Sequence, residues 1–68
     1  MKKTLTNREV EILTLLSTGL LYKEIAFKMN IKLDTVKKHC QNIYKKLESR
    51  NKTEAVIWFN EQNKTTFI

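Results

Sequence analysis

The 68-residue chain has no proline, a single glycine (Gly19), a single cysteine (Cys40), a single histidine (His39), and no apolar run longer than the five residues Ala55 to Phe59. Each scarcity removes a class of protein. Sheets need turn punctuation and apolar–polar alternation, and with one glycine and neither proline nor regular alternation the fold class expected is all-α. One glycine cannot build a glycine-rich phosphate loop. A lone cysteine cannot close an internal disulfide, which suits a reducing compartment and a cytoplasmic location. Five apolar residues fall far short of the ~20 that span a bilayer, and Met1-Lys2-Lys3-Thr4 lacks the apolar segment of a signal peptide, so no membrane role is expected.

Catalytic residues are equally scarce. An enzyme needs an acid–base pair or an activated nucleophile, and the only obvious candidates, His39 and Cys40, are neighbours in sequence. On a helix, neighbours point about 100° apart and cannot form a mutual dyad. No further His or Cys completes a zinc site. Cys40 reads as a small core hydrophobe and His39 as a partly covered helix residue. The expectation is a non-enzyme with no metal, no cofactor and no small-molecule ligand.

Basic residues are abundant. The net charge is +6, and residues 22 to 46 carry seven lysines (23, 28, 32, 37, 38, 45 and 46) against Glu24 and Asp34, a local +5. A concentration of one sign on so short a stretch predicts a polyanionic partner.

Four helices are expected. Thr6 and Glu9 have the spacing of a capping box, and Leu5 and Val10 that of a hydrophobic staple. Val10, Ile12, Leu13 and Leu16 then form an apolar stripe, and Gly19 fits the left-handed residue that ends the helix. A second helix runs from about Tyr22 to Met29, with Ile25, Ala26 and Met29 inward and Lys23 and Lys28 outward; Asn30 stops it. A third runs from about Leu33 to Leu47, with Val36, Cys40, Ile43 and Leu47 as a core stripe and Asp34, Lys37, Lys38, Gln41 and Lys45 on the opposite face. Glu48, Ser49 and Arg50 form a linker. Asn51 and Glu54 have N-cap and N3 spacing for a fourth helix, about Lys52 to Glu61, whose apolar run wraps too far round for one neighbour to bury, leaving part of it for a partner.

Two helices joined by a short turn, the second with a core face backed by Lys, Lys and Gln, have the layout of a helix-turn-helix that places its second helix in the major groove. The plainer alternative is that these lysines merely solvate a helix face.

The full pattern is more specific. Leu5-Thr6-x-Arg8-Glu9-x-Glu11-Ile12-Leu13, Gly19, Lys23-Glu24-Ile25-Ala26, Ile31, Thr35-Val36-Lys37-x-His39, Ile43, Lys46-Leu47 and Asn51-x-Thr53-Glu54-Ala55-Val56 together resemble the LuxR/NarL/GerE helix-turn-helix family of bacterial transcription regulators, over residues 5 to about 60 and without a gap. The resemblance implies a four-helix bundle in which helices 2 and 3 form the helix-turn-helix, helix 3 reads the major groove, and helix 4 supports dimerisation; within the apolar run of helix 4, Val56, Ile57 and Trp58 are the candidates for that contact. It makes Lys37, Lys38 and Gln41 the base-reading residues and sets Lys23, Thr35 and Lys46 near the DNA backbone, where Thr35 and Lys46 could equally serve packing and helix ends; Lys45 is taken as a further backbone contact. Double-stranded DNA is the expected partner, bound by a weak homodimer on two half-sites, with RNA polymerase a further candidate. Residues 1–4 are then an N-terminal extension, 5–61 the domain, and 62–68 a frayed tail. The chain departs from the family in three places. Leu21 and Tyr22 replace the usual Ser-Asn at the start of helix 2, Lys32 replaces the Ser that caps helix 3, and Lys52 replaces an Arg at the start of helix 4.

Two other readings compete. A protein-interaction module would turn the basic face to an acidic protein and use helix 4 as its main interface. A sigma-factor region 4-like domain also carries a helix-turn-helix, but leaves the matched helix 4 segment unexplained.

Overall fold

The computed structural model describes residues 4–62, and among these the chain forms four α-helices and no strand: α1 (Asn7–Ser17), α2 (Tyr22–Met29), α3 (Leu33–Leu47) and α4 (Lys52–Gln62). The helix ends follow from local chemistry. At α1 the Thr6 hydroxyl accepts from the Glu9 N–H at 3.1 Å, and the Glu9 carboxylate accepts from the Thr6 N–H at 2.9 Å, a complete capping box. Gly19, at φ +93°, turns the chain out of α1 in a conformation that a side chain would strain. Asn30 does the same for α2 at φ 57°, ψ 47°, and the Ile31 N–H reaches back to the Ala26 carbonyl at 3.0 Å. Of the expected tail at 62–68, Gln62 belongs to α4 and residues 63–68 lie outside the described residues, as do residues 1–3 of the N-terminal extension.

Ile12, Leu13, Leu16, Ile25, Ala26, Val36, Cys40, Ile43, Leu47 and Ala55 form one buried core. α1 and α3 are its central pair: α1 packs on all three other helices, α3 likewise, whereas α2 and α4 do not meet. α3 contributes the expected stripe of Val36, Cys40, Ile43 and Leu47. Full burial of a Val, Leu or Ile side chain is worth about 1.5–3 kcal/mol, so this stripe anchors the whole of α3.

The α1 stripe needs correction. Val10 is 41% exposed, and its expected place is taken by Glu9, which is only 4% exposed. Glu9, Ile12, Leu13 and Leu16 stand at i, i+3, i+4 and i+7, the true inward face, and Val10 lies about 100° off it.

Candidate nucleic-acid interface

Between α2 and α3 lie three residues, Asn30, Ile31 and Lys32, and both helices pack inward on the same core, which makes the pair a helix-turn-helix. With the stripe from Val36 to Leu47 buried, helical geometry turns Asp34, Lys38, Gln41 and Lys45 directly outward, with Lys37 and Asn42 on either flank. All six are exposed, and Lys38 shares a shallow depression of about 370 Å³ with Asp34, Thr35, His39 and Asn42. Asn42 was not singled out in the sequence. It lies one turn beyond Lys38, and that i, i+4 relation is the signal that places it on this face.

The remaining backbone candidates separate. Lys23 is exposed on α2, Thr35 is exposed in the first turn of α3, and Lys45 is exposed in its last turn. Lys46 is exposed as well, and its Nζ donates to the Glu9 Oε1 at 2.8 Å, tying the end of α3 to the start of α1. Burial alone would push the Glu9 carboxyl up, but the hydrogen bonds from Lys46 and Thr6 together with the Lys46 charge outweigh it, and the group sits below the ordinary carboxylate value. One carboxylate thus caps α1 and clamps α3.

The starts of α2 and α3 match the departures noted in the sequence. Leu21 has no side-chain oxygen to cap α2, yet the Glu24 carboxylate accepts from the Leu21 N–H at 2.7 Å, so half of a capping box survives. Lys32 makes no side-chain cap at α3. The other departure at α2, Tyr22, has a structural use. Its hydroxyl lies 2.6 Å from that of Tyr44 on α3, a bond across the two helices of the motif. Burial raises both phenols above their ordinary value and holds them neutral.

Cys40 is 1% exposed and burial raises its thiol, so it packs as a hydrophobe and is no thiolate nucleophile. Among the described residues no group of three or more His, Cys, Asp or Glu side chains could hold a metal, and no helix is long and apolar enough to cross a membrane.

On α4, Ala55 is buried, while Val56, Trp58 and Phe59 are half-buried against the core. Ile57 is 54% exposed, the most open member of the expected dimerisation trio. The Asn51 Oδ1 caps the helix through the Glu54 N–H at 3.0 Å, and the Glu54 carboxylate accepts from the Arg50 N–H at 2.7 Å.

A three-residue turn, a buried stripe and a basic polar outer face define a DNA-binding helix-turn-helix module, a class that performs no catalysis. Residues 3–59 match the family described as "Bacterial regulatory proteins, luxR family", and the chain belongs to that family. The match extends well into α4, which a sigma-factor-like reading does not explain. The chain is 43% identical over 58 residues to the putative HTH-type transcriptional regulator YhjB of Escherichia coli (strain K12), covering 85% of this chain and 29% of that protein. It is 46% identical over 59 residues to the response regulator protein VraR of Staphylococcus aureus (strain Mu3 / ATCC 700698), covering 87% and 28%, and equally to VraR of Staphylococcus epidermidis. The chain therefore spans less than a third of the length of these relatives.

Proposed function

We propose that the chain reads double-stranded DNA sequence-specifically, with α3 in the major groove and two copies on two half-sites, as the DNA-binding part of a response regulator. The observation that carries this reading is the outer face of α3, where Lys37, Lys38, Gln41, Asn42 and Lys45 are exposed while Val36, Cys40, Ile43 and Leu47 pin the helix from behind. A helix of this length extends about 22 Å and fits a groove about 12 Å wide. Lys37 and Lys38 offer donors to the O6/N7 edge of guanine, and Gln41 and Asn42 offer a donor and an acceptor to adenine. Lys23, Thr35 and Lys45 contact phosphates, and Lys46 holds α3 in place through Glu9. Ile57, flanked by Val56 and Trp58, forms the centre of a small α4–α4 contact, and DNA assists the pairing because so small a patch falls below the ~1,000 Å² of a stable interface. The names of the relatives, a transcriptional regulator and a response regulator, support transcription regulation, and RNA polymerase is the downstream partner that such a role calls for.

Selection of bound sites from random duplexes, followed by anisotropy titration, tests this. One half-site motif is expected, recovered in pairs at fixed spacing and lost as pairs in Ile57→Glu, with a log–log salt slope of about −3 or steeper for roughly four phosphate contacts. Lys37→Ala, Lys38→Ala or Gln41→Ala should each weaken the preferred site by about 1–3 kcal/mol and relax one or two base pairs. A flat salt response, or no recovered motif, overturns the reading.

A further inference from the structure

The outer face of α2 carries an apolar feature, Phe27, to which the proposed DNA contacts give no role. Phe27 is 90% exposed, the most open large apolar side chain among the described residues, and Leu21 nearby is 53% exposed. Phe27 lines an open depression of about 560 Å³ with Leu20, Lys23, Glu24 and Lys28. The depression is distinct from the one around Lys38 on α3, and no residue lines both. Because α2 turns Ile25 and Ala26 to the core, helical geometry points Phe27 away from it.

We propose that this face docks an acidic, amphipathic helical segment of a partner protein, an apolar residue of which seats between Leu20 and Phe27. Charge complementarity selects the partner. Lys23, which the proposed function also sets against phosphate, and Lys28 rim the depression, and Glu24 is the one acid in it, so its lining carries a net charge of +1. The local field is therefore positive around an apolar centre, and a segment with Glu or Asp beside Leu or Phe satisfies both at once. A phosphate backbone satisfies the lysines but leaves the phenyl ring in water. A second copy of this chain brings lysines against lysines. The face also lies across the core from α4, which α2 does not touch, so a docked segment leaves α4 pairing unobstructed.

The test is a titration of the isotope-labelled 68-residue chain by nuclear magnetic resonance with a synthetic helical peptide carrying a Leu/Phe stripe and otherwise Glu. The same peptide scrambled, and a version with Lys for Glu, serve as controls. Shifts are expected at residues 20, 23, 24, 27 and 28, absent with both controls and weakened by salt. Phe27→Ser should reduce peptide affinity about ten-fold or more, as for an aromatic anchor, while Phe27→Trp retains it. Circular dichroism and duplex affinity of Phe27→Ser should match the parent. Shifts centred on α3 or α4, or equal peptide binding by Phe27→Ser, overturn the proposal. A loss of duplex affinity in Phe27→Ser would make the ring a DNA contact, and a Phe27-dependent dimer in sedimentation would make the occupant a second copy; both refute an acidic partner.

Discussion

Lys45 and Lys46 are neighbours in the same basic stretch, and they end in opposite circumstances. Lys45 extends from the outer face of α3 into solvent, whereas Lys46, about 100° round the helix, turns to α1 and closes on a carboxylate that is 4% exposed. The two regions differ in what an added charge does. On the outer face a lysine is hydrated and free to meet an anion; at the α1–α3 junction it neutralises one already buried, and the pair ties α3 to α1. A count of lysines therefore does not distinguish a cation with a carboxylate partner from one without. The helical phase of each residue sorts the two uses.

The largest effect that bears on this contrast comes from the support beneath both regions. Val36→Asp places an unpaired charge at a fully buried site of α3 and should cost about 4 kcal/mol or more, abolishing the cooperative thermal transition seen by circular dichroism. A retained melt would show that α3 is not pinned by its stripe. The junction comes next. Glu9→Gln should destabilise the fold by about 1–3 kcal/mol, since it removes a charged acceptor shared by Lys46 and the Thr6 N–H. Because the folded state holds the Glu9 carboxyl below its ordinary value, its contribution is complete at neutral pH and is lost as pH falls through that depressed value. The stability gap between parent and Glu9→Gln, from urea melts, should accordingly narrow as the pH is taken below the ordinary carboxylate range. A gap independent of pH would remove the carboxylate charge from the account.

The smallest effect sharpens the comparison most. Lys45→Ala should leave stability within about 0.5 kcal/mol and lower the magnitude of the salt slope for duplex binding by about 1, without altering base preference. Lys46→Met should do the reverse, destabilising the fold by roughly the Glu9→Gln amount while leaving the slope unchanged. If both lysines reduce the slope equally, Lys46 leaves Glu9 for phosphate when DNA binds, and the clamp is a feature of the free protein alone.

Much of the fold was legible. The boundaries of α2 and α3, the Thr6–Glu9 capping box, the turn-ending roles of Gly19 and Asn30, and the stripe from Val36 to Leu47 all depend on residues within a few positions of one another. The site was legible in outline for the same reason: once the buried stripe is known, the 3.6-residue period puts Lys38, Gln41 and Lys45 opposite it. Glu9 escaped because it was assigned to the cap alone. Its i, i+3, i+4 relation to Ile12 and Leu13 marks it as inward, and a carboxylate on an inward face signals a buried partner. Phe27 escaped because an aromatic residue is ordinarily expected inside, and only its phase relative to Ile25 and Ala26 says otherwise.

By itself, then, the sequence determined the number of helices, the bounds and inward faces of α2 and α3, and the family, because periodicity and caps act over one or two turns. Tertiary structure alone decided the rest. Lys46 meets Glu9 across a separation of 37 residues, and Tyr22 meets Tyr44 across 22. Such contacts depend on the angle and register at which α1, α2 and α3 pack, a property of the assembled core that no local pattern encodes.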